Sequence, residues 1–293
     1  MVAWSHFGSN PADTSSVRAR LFDGNGIAVG DDFQVNSYTP SGQSLPSVGM
    51  DAAGNFVVVW QSDGSPSSDR SGFSIQGQRF DWSGSAIGTQ FQVNTYTTDA
   101  QTAPAIAVAP AGNFVVVWTS APHAGPEADG DVKGQRFDES GVPLGTEFTV
   151  NTSPAKAESA DVAIHTNGAF VVVWTGFKNF GSDEAKSIQA RRFDWNGEPL
   201  GLEFEANGST TQTDPSVASL AGGTFVVAWH DESYGDYGVG GQLFDALGVP
   251  AGTEFRVSSA SYGRQQSADV APTPNGGFAV VWEGDGIRGQ RFE

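Results

Sequence analysis

The chain has no cysteine among its 293 residues, so neither a disulfide framework nor a thiolate metal site is open to it. Basic residues are scarce: 15 Lys and Arg against 33 Asp and Glu leave a net charge of −18. A surface of that sign repels phosphate backbones and anionic lipid, which argues against a nucleic-acid partner and against docking on acidic membranes. No apolar run reaches the roughly 18 residues that a spanning helix needs, so no membrane insertion is expected. Residues 1–20 also lack the basic start and apolar stretch of a signal peptide. Nor does any ten-residue stretch carry an unbroken helical apolar stripe, which excludes a helical fold.

What is present is glycine, 38 of it, with 15 prolines, both spread along the chain as turns rather than gathered in a linker. Between the turns runs a repeat. Residues 54–60 and 112–118 both read GNFVVVW, and variants of that string end at Trp174, Trp229 and Trp282. With Trp4 these tryptophans lie 53 to 58 residues apart. After each comes a second string of the type GQRFD, then a third of the type FQVN, then a fourth such as PSVGM or PAIAV that leads back into the first. Each is short, rich in Val, Ile and Phe, and bounded by Gly, Asn, Asp or Pro, as strands are.

We label the strands A (PSVGM type), B (ending in Trp), C (GQRFD type) and D (FQVN type). In strand B, Phe56, Val58 and Trp60 point one way and Val57 and Val59 the other. Both faces are apolar, so the strand must be covered on both sides. Four strands repeated in tandem predict an all-β fold, a β-propeller of four-stranded antiparallel blades, one domain over residues 1–293. Strand A carries the smallest side chains and is expected innermost, with D outermost. Strands B and C occur six times and A and D five times, which predicts six blades; five blades with a spare hairpin, or a piece of a longer array, are the alternatives.

The combination GNFVVVWQSDG, GQRFD and GTQFQVNT resembles a tandem repeat of large secreted bacterial proteins that often also carry hemolysin-type calcium repeats or cadherin-like domains. The resemblance covers nearly the whole chain. It implies an extracellular, surface-associated or adhesive role within a larger chain. The Trp-Asp strand end of WD40 blades and the S-x-D-x-G-x-x-W box of sialidase-type propellers are both missing.

In this strand order the A–B and C–D turns lie on one face and the B–C and D–A loops on the other. The turns are nearly constant and the loops vary, so the loop face is the expected ligand face. Its B–C loops are acidic. Glu127, Asp129 and Asp131 fall in one and Asp231 and Asp236 in another, and several oxygens close in sequence are what calcium requires, although the spacing is not that of an EF-hand. Tyr234 and Tyr237 in the same region could stack on a sugar ring or a protein partner. A second set repeats where strand A begins: Gln43, Gln101, Glu158, Gln212 and Gln266, followed by Asp161, Asp214 and Asp269. Those side chains either line a ligand site or bond a neighbouring blade. The repeated Arg79, Arg136, Arg192 and Arg291 exchange with leucine and read as packing residues.

No catalytic residue is assigned on this evidence. The expected function is a binding module of a secreted or surface protein that takes a glycan or protein on the loop face. The alternatives are a structural spacer in a larger adhesin, or a polysaccharide hydrolase or lyase working through Asp161, Asp214 and Asp269.

Overall fold

A computed structural model describes residues 1–7, 15–65, 72–121, 130–152, 156–177, 185–208, 211–232, 237–258 and 265–293. The chain forms six antiparallel sheets in sequence order, the blades of a six-bladed β-propeller. Blade 1 is β1 (Val2–His6), β2 (Ser16–Phe22) and β3 (Ala28–Gln34). Blade 2 is β4 (Gln43–Met50), β5 (Phe56–Asp63), β6 (Phe73–Phe80) and β7 (Ala86–Gln92). Blade 3 is β8 (Ala100–Val108), β9 (Phe114–Ala121), β10 (Asp131–Phe137) and β11 (Pro143–Thr149). Blade 4 is β12 (Ala157–Ile164), β13 (Phe170–Phe177), β14 (Lys186–Phe193) and β15 (Phe204–Glu205). Blade 5 is β16 (Gln212–Ser219), β17 (Phe225–Asp231), β18 (Gly238–Phe244) and β19 (Phe255–Arg256), and blade 6 is β20 (Gln266–Pro272), β21 (Phe278–Gly284) and β22 (Gly286–Phe292).

Strand order within a complete blade is A-B-C-D, as the repeat predicts. Among the described residues blade 1 has no strand A and blade 6 no strand D, and the spare-hairpin alternative falls because β1–β3 form a sheet of their own. Strand D shrinks to two residues in blades 4 and 5, where isolated bridges join Pro199 to Phe193 and Pro250 to Phe244.

By its contacts the chain divides into two compact units, Met1–Ala128 with Lys133–Phe148, and Asp129–Val132 with Thr149–Glu293. In each, strand B is the core. Phe56, Val58 and Trp60 pack with Val17, Ala19 and Val35 of blade 1, while Val57 and Val59 pack with Ile106, Val116 and Trp118 of blade 3. Blades 4, 5 and 6 repeat the arrangement around Val173, Val227 and Trp229, and around Val226, Val280 and Trp282. The glycine of GQRFD has a reason: a Cβ on Gly77 would meet the Phe91 ring at 2.7 Å, and one on Gly134 would meet Phe148 at 2.5 Å.

Two short motifs hold each blade together. The Asn that ends FQVN accepts an amide near the start of strand C, as Asn36 does from Val17 at 2.9 Å and Asn94 from Ile75 at 2.8 Å. The Asp that ends strand C closes the C–D turn: Asp81 Oδ1 takes the amides of Ser83 and Ser85, both at 2.9 Å, and Asp138, Asp194 and Asp245 repeat the pattern. This is the Asx turn, a side chain standing in for a backbone carbonyl.

Candidate functional site

Every strand A bends at the same place. Leu45, Ala103, Ser159, Asp214 and Ser267 have φ of 50°, 49°, 52°, 50° and 53°. At each of them the pairing of strand A with strand B slips, between Ser44 and Ser47, Thr102 and Ala105, Glu158 and Asp161, Thr213 and Ser216, and Gln266 and Asp269. None is glycine, and the left-handed region costs an ordinary residue about 1–2 kcal/mol. The surrounding contacts offset that cost. Leu45 donates its amide to Ser5 Oγ at 3.2 Å, Ala103 to Gln61 Oε1 at 3.3 Å and Asp214 to Thr175 Oγ1 at 3.2 Å. Each acceptor follows the tryptophan of the preceding blade, so the bulge is one stitch between neighbouring blades.

Two residues beyond the bulge lie Ser47, Ala105, Asp161, Ser216 and Asp269, which are equivalent in the ladder. This position makes a second stitch. Ser47 Oγ accepts the amide of Ile106 at 3.3 Å, Asp161 Oδ2 that of Val217 at 2.8 Å, and Ser216 Oγ that of Val270 at 3.2 Å. In blades 4 to 6 it also gathers acid. Ser216 donates to Asp269 Oδ1 at 3.1 Å, and its hydroxyl and the charge of Asp269 both act on Asp161. Beside them Ser159 donates to Asp214 Oδ1 at 2.9 Å.

The two carboxyls differ in surroundings. Asp269 is exposed. Asp161 keeps only partial contact with solvent and is packed by protein on nearly every side. Burial pushes its carboxyl up to about 6, and the charge of Asp269 adds to the push, against the amides of Val217 and Val162 and the Ser216 hydroxyl. A carboxyl raised in this way can hold a proton for delivery near neutral pH.

The sequence treats Asp161, Asp214 and Asp269 as one set; the structure divides them, with Asp214 on the bulge itself. The glutamine positions need a larger correction. Gln43, Gln101 and Gln212 are buried. Gln43 Oε1 accepts Trp60 Nε1–H and Gln101 Oε1 accepts Trp118 Nε1–H, each at 2.8 Å, and Gln212 Oε1 accepts from Asn207. They hold the core. Glu158 and Gln266 are not their equivalents. Ala157 pairs with Gly176 as Gln43 pairs with Ser62, two residues past the tryptophan, while Gln266 pairs with Glu283, one residue past Trp282. The true counterparts are the buried Ala157 and Gln265. Glu158 instead meets Lys156 at 3.2 Å and Lys186 at 3.7 Å, both ammonium groups standing over the Phe177 ring.

On the loop face, Glu127, Asp129, Tyr234 and Asp236 lie outside the described residues. Asp131 is half-buried and accepts Asn151 Nδ2 at 3.4 Å, and Asp231 closes the end of β17 against Gly238. Among the described residues no group of three or more His, Asp and Glu is placed to hold a metal ion. Tyr237 is exposed and stacks on the buried His230, with ring centroids 5.8 Å apart and 16° between planes. The Arg79 guanidinium donates to the carbonyls of Ser140 at 2.6 Å and Glu139 at 2.7 Å, in the C–D turn of the next blade.

Other residues escaped the sequence reading. Gln90, Glu147, Glu203 and Glu254, in the stretch before each FQVN, cap the amides of the preceding D–A loop, at Ser37, Thr95, Thr152 and Gly208. The recurring acid or amide at that place was the available signal. His165 Nδ1 and Ser219 Oγ hydrogen-bond between blades 4 and 5, and burial first, then Arg192, lowers the imidazole's affinity for a second proton.

No protein-family model and no curated protein matches the chain. Solved structures do. A protein of unknown function from Dyadobacter fermentans aligns over 98% of this chain and 84% of its own, with a TM-score of 0.67 at 11% identity. An alpha-L-arabinanase from Penicillium chrysogenum, complexed with arabinobiose, aligns over 83% and 75%, with a TM-score of 0.55 at 14% identity. An alpha-L-arabinofuranosidase from Fusarium graminearum, bound to an iminosugar inhibitor, aligns over 86% and 80%, with a TM-score of 0.56 at 10% identity. At these identities the likeness is one of fold.

Proposed function

We propose that this chain is a carbohydrate-directed propeller that cleaves glycosidic bonds with the inner-strand acids of blades 4 to 6. The carrying observation is the Asp161–Ser216–Asp269 arrangement, in which Asp161, under the influence of the neighbouring Asp269 charge, has its proton affinity raised to about 6. Glycosidases use two carboxyls, one protonated to deliver a proton to the leaving oxygen and one ionised to activate water or attack the sugar. Asp161 suits the first task and the exposed Asp269, held by the Ser216 hydroxyl, the second. The glycoside hydrolases among the structures of similar fold support the same chemistry, and arabinose-containing glycans are the first substrates to try. A polymeric glycan substrate fits a protein that works outside the cell, in line with the secreted-repeat resemblance; no helix among the described residues is long and apolar enough to cross a membrane.

The test is release of reducing ends from a panel of arabinan, xylan, galactan and glucan by the wild type, Asp161→Asn and Asp269→Asn. Cleavage by the wild type that drops at least about 100-fold in either variant supports the reading. Cleavage that survives both substitutions sinks it. A second reading, binding without cleavage, is favoured by one observation: Ser47 accepts a neighbouring amide just as Asp161 does, without any carboxyl. Retention of a polymer with no bond cleaved would decide for it.

A further inference from the structure

Six of the eight tryptophans mark strand B; the other two, Trp82 and Trp195, do not. They hold the same place in the C–D turns of blades 2 and 4, and they stand 71% and 60% exposed. Single exposed apolar residues are ordinary. These two recur at one place in the repeat. Each sits with its Cβ against the A–B turn glycine of its own blade: a Cβ on Gly54 would meet Trp82 at 3.2 Å, and one on Gly168 would meet Trp195 at 3.1 Å. In blade 3 the same turn-on-turn contact is made by Glu139 against Gly112, and in blade 5 by Ala246 against Gly223. The contact is made through Cβ in every case, so glutamate and alanine meet the glycine as the tryptophans do, and this contact does not call for an indole.

The A–B turn under Trp82 also borders a cavity. A groove of about 300 Å³ opens between blades 2 and 3, with Asp51, Asn55, Arg79 and Glu139 around a floor that includes Ile87 and Pro110. Arg79 is fixed there by the Ser140 and Glu139 carbonyls. The Glu139 carboxylate is exposed. Asp51 and Asn55 bond each other at 2.9 Å, and the exposed Glu139 carboxylate edges the cleft. An aromatic platform beside such a cleft is the chemistry that takes a sugar, with the ring face stacked on indole and a hydroxyl bonded to the carboxylate.

We infer that the turn face carries carbohydrate-binding sites distinct from the inner-strand acids, with Trp82 and the adjoining groove as one and Trp195 as the platform of another. The inference rests on the carbohydrate reading above and adds where a polymer would be held. The sites would tether a glycan chain while its bonds are cut elsewhere on the molecule.

The experiment is affinity gel electrophoresis in the same polysaccharide panel, comparing the wild type, Trp82→Ala, Trp195→Ala, the double variant, Trp82→Phe and Asp161→Asn. Each alanine variant should bind about fivefold more weakly. Trp82→Phe should recover most of the loss, which a misfolded variant would not. Cleavage of a short soluble oligosaccharide should stay at the wild-type rate in the tryptophan variants, and Asp161→Asn should be retained like the wild type. Wild-type retention in the double variant, or no retention of the wild type on any polymer, overturns the inference. Tryptophan-dependent retention without cleavage would keep it and remove the hydrolytic reading instead.

Discussion

The strand A of blades 2 and 3 and the strand A of blades 4 to 6 share one backbone and carry different chemistry. All five bulge at the same step with φ near 50°. In blades 2 and 3 the bulge residue and the one two beyond it are Leu45 and Ser47, and Ala103 and Ala105. In blades 4 to 6 they are Ser159 and Asp161, Asp214 and Ser216, and Ser267 and Asp269. Ala105 has no side-chain acceptor to offer. Ser47 shows that a hydroxyl suffices where one is used. A carboxyl at Asp161, packed by protein and carrying a raised proton affinity, is more than the scaffold needs. Perturbed acids of that kind collect at functional sites.

The comparison can be broken by substitution. The largest effect is expected at Asp269 and Asp161, where asparagine should remove cleavage by at least about 100-fold while Ser47→Ala and Ala105→Ser leave it unchanged. Equal losses at both ends of the chain would show the position to be scaffold throughout. Next comes Gln43→Ala. It strands the Trp60 indole N–H in the core, which costs about 1–3 kcal/mol and should lower the melting temperature by several degrees; Glu158→Gln, which loses only half-exposed ion pairs, should cost less than about 1 kcal/mol.

A smaller effect lies in the pH dependence of stability. Folded Asp161 holds its proton up to about pH 6, while the unfolded chain gives it up near the ordinary value of 3.8. Between those values the folded state binds more protons, so this group makes stability fall as pH rises from about 4 to about 6, with no further change above. In Asp161→Asn that part of the slope should vanish. Denaturant melts at pH 4.5 and 6.5 on both proteins measure it, and an identical slope in the variant would contradict the assigned shift.

How much the sequence revealed follows the same division. The blades were legible because strand B must be apolar on both faces and ends in tryptophan, which leaves a ruler of 53 to 58 residues. The glutamines were misread because letters were matched in place of ladder positions: the extra Glu158 and Gln266 sit one residue past the buried Ala157 and Gln265. The bulge left no letter at all. Its residues are Leu, Ala, Ser, Asp and Ser, and the usual glycine signal for positive φ is absent. The split between Asp161 and Asp214 was hidden for that reason, since the slip shifts which residues are equivalent. Trp82 and Trp195 were visible as the two tryptophans off the ruler, but only their exposure distinguishes a platform from a core residue.

The central claim is that Asp161 delivers the proton in glycosidic cleavage. The measurement that tests it most directly is the pH–rate profile of reducing-end release from the best polymer of the panel, for the wild type and Asp161→Asn. The account predicts wild-type activity that declines above about pH 6, as Asp161 loses its proton, and a variant with the activity and that decline both lost. A variant that retains the wild-type rate and the same decline would contradict it.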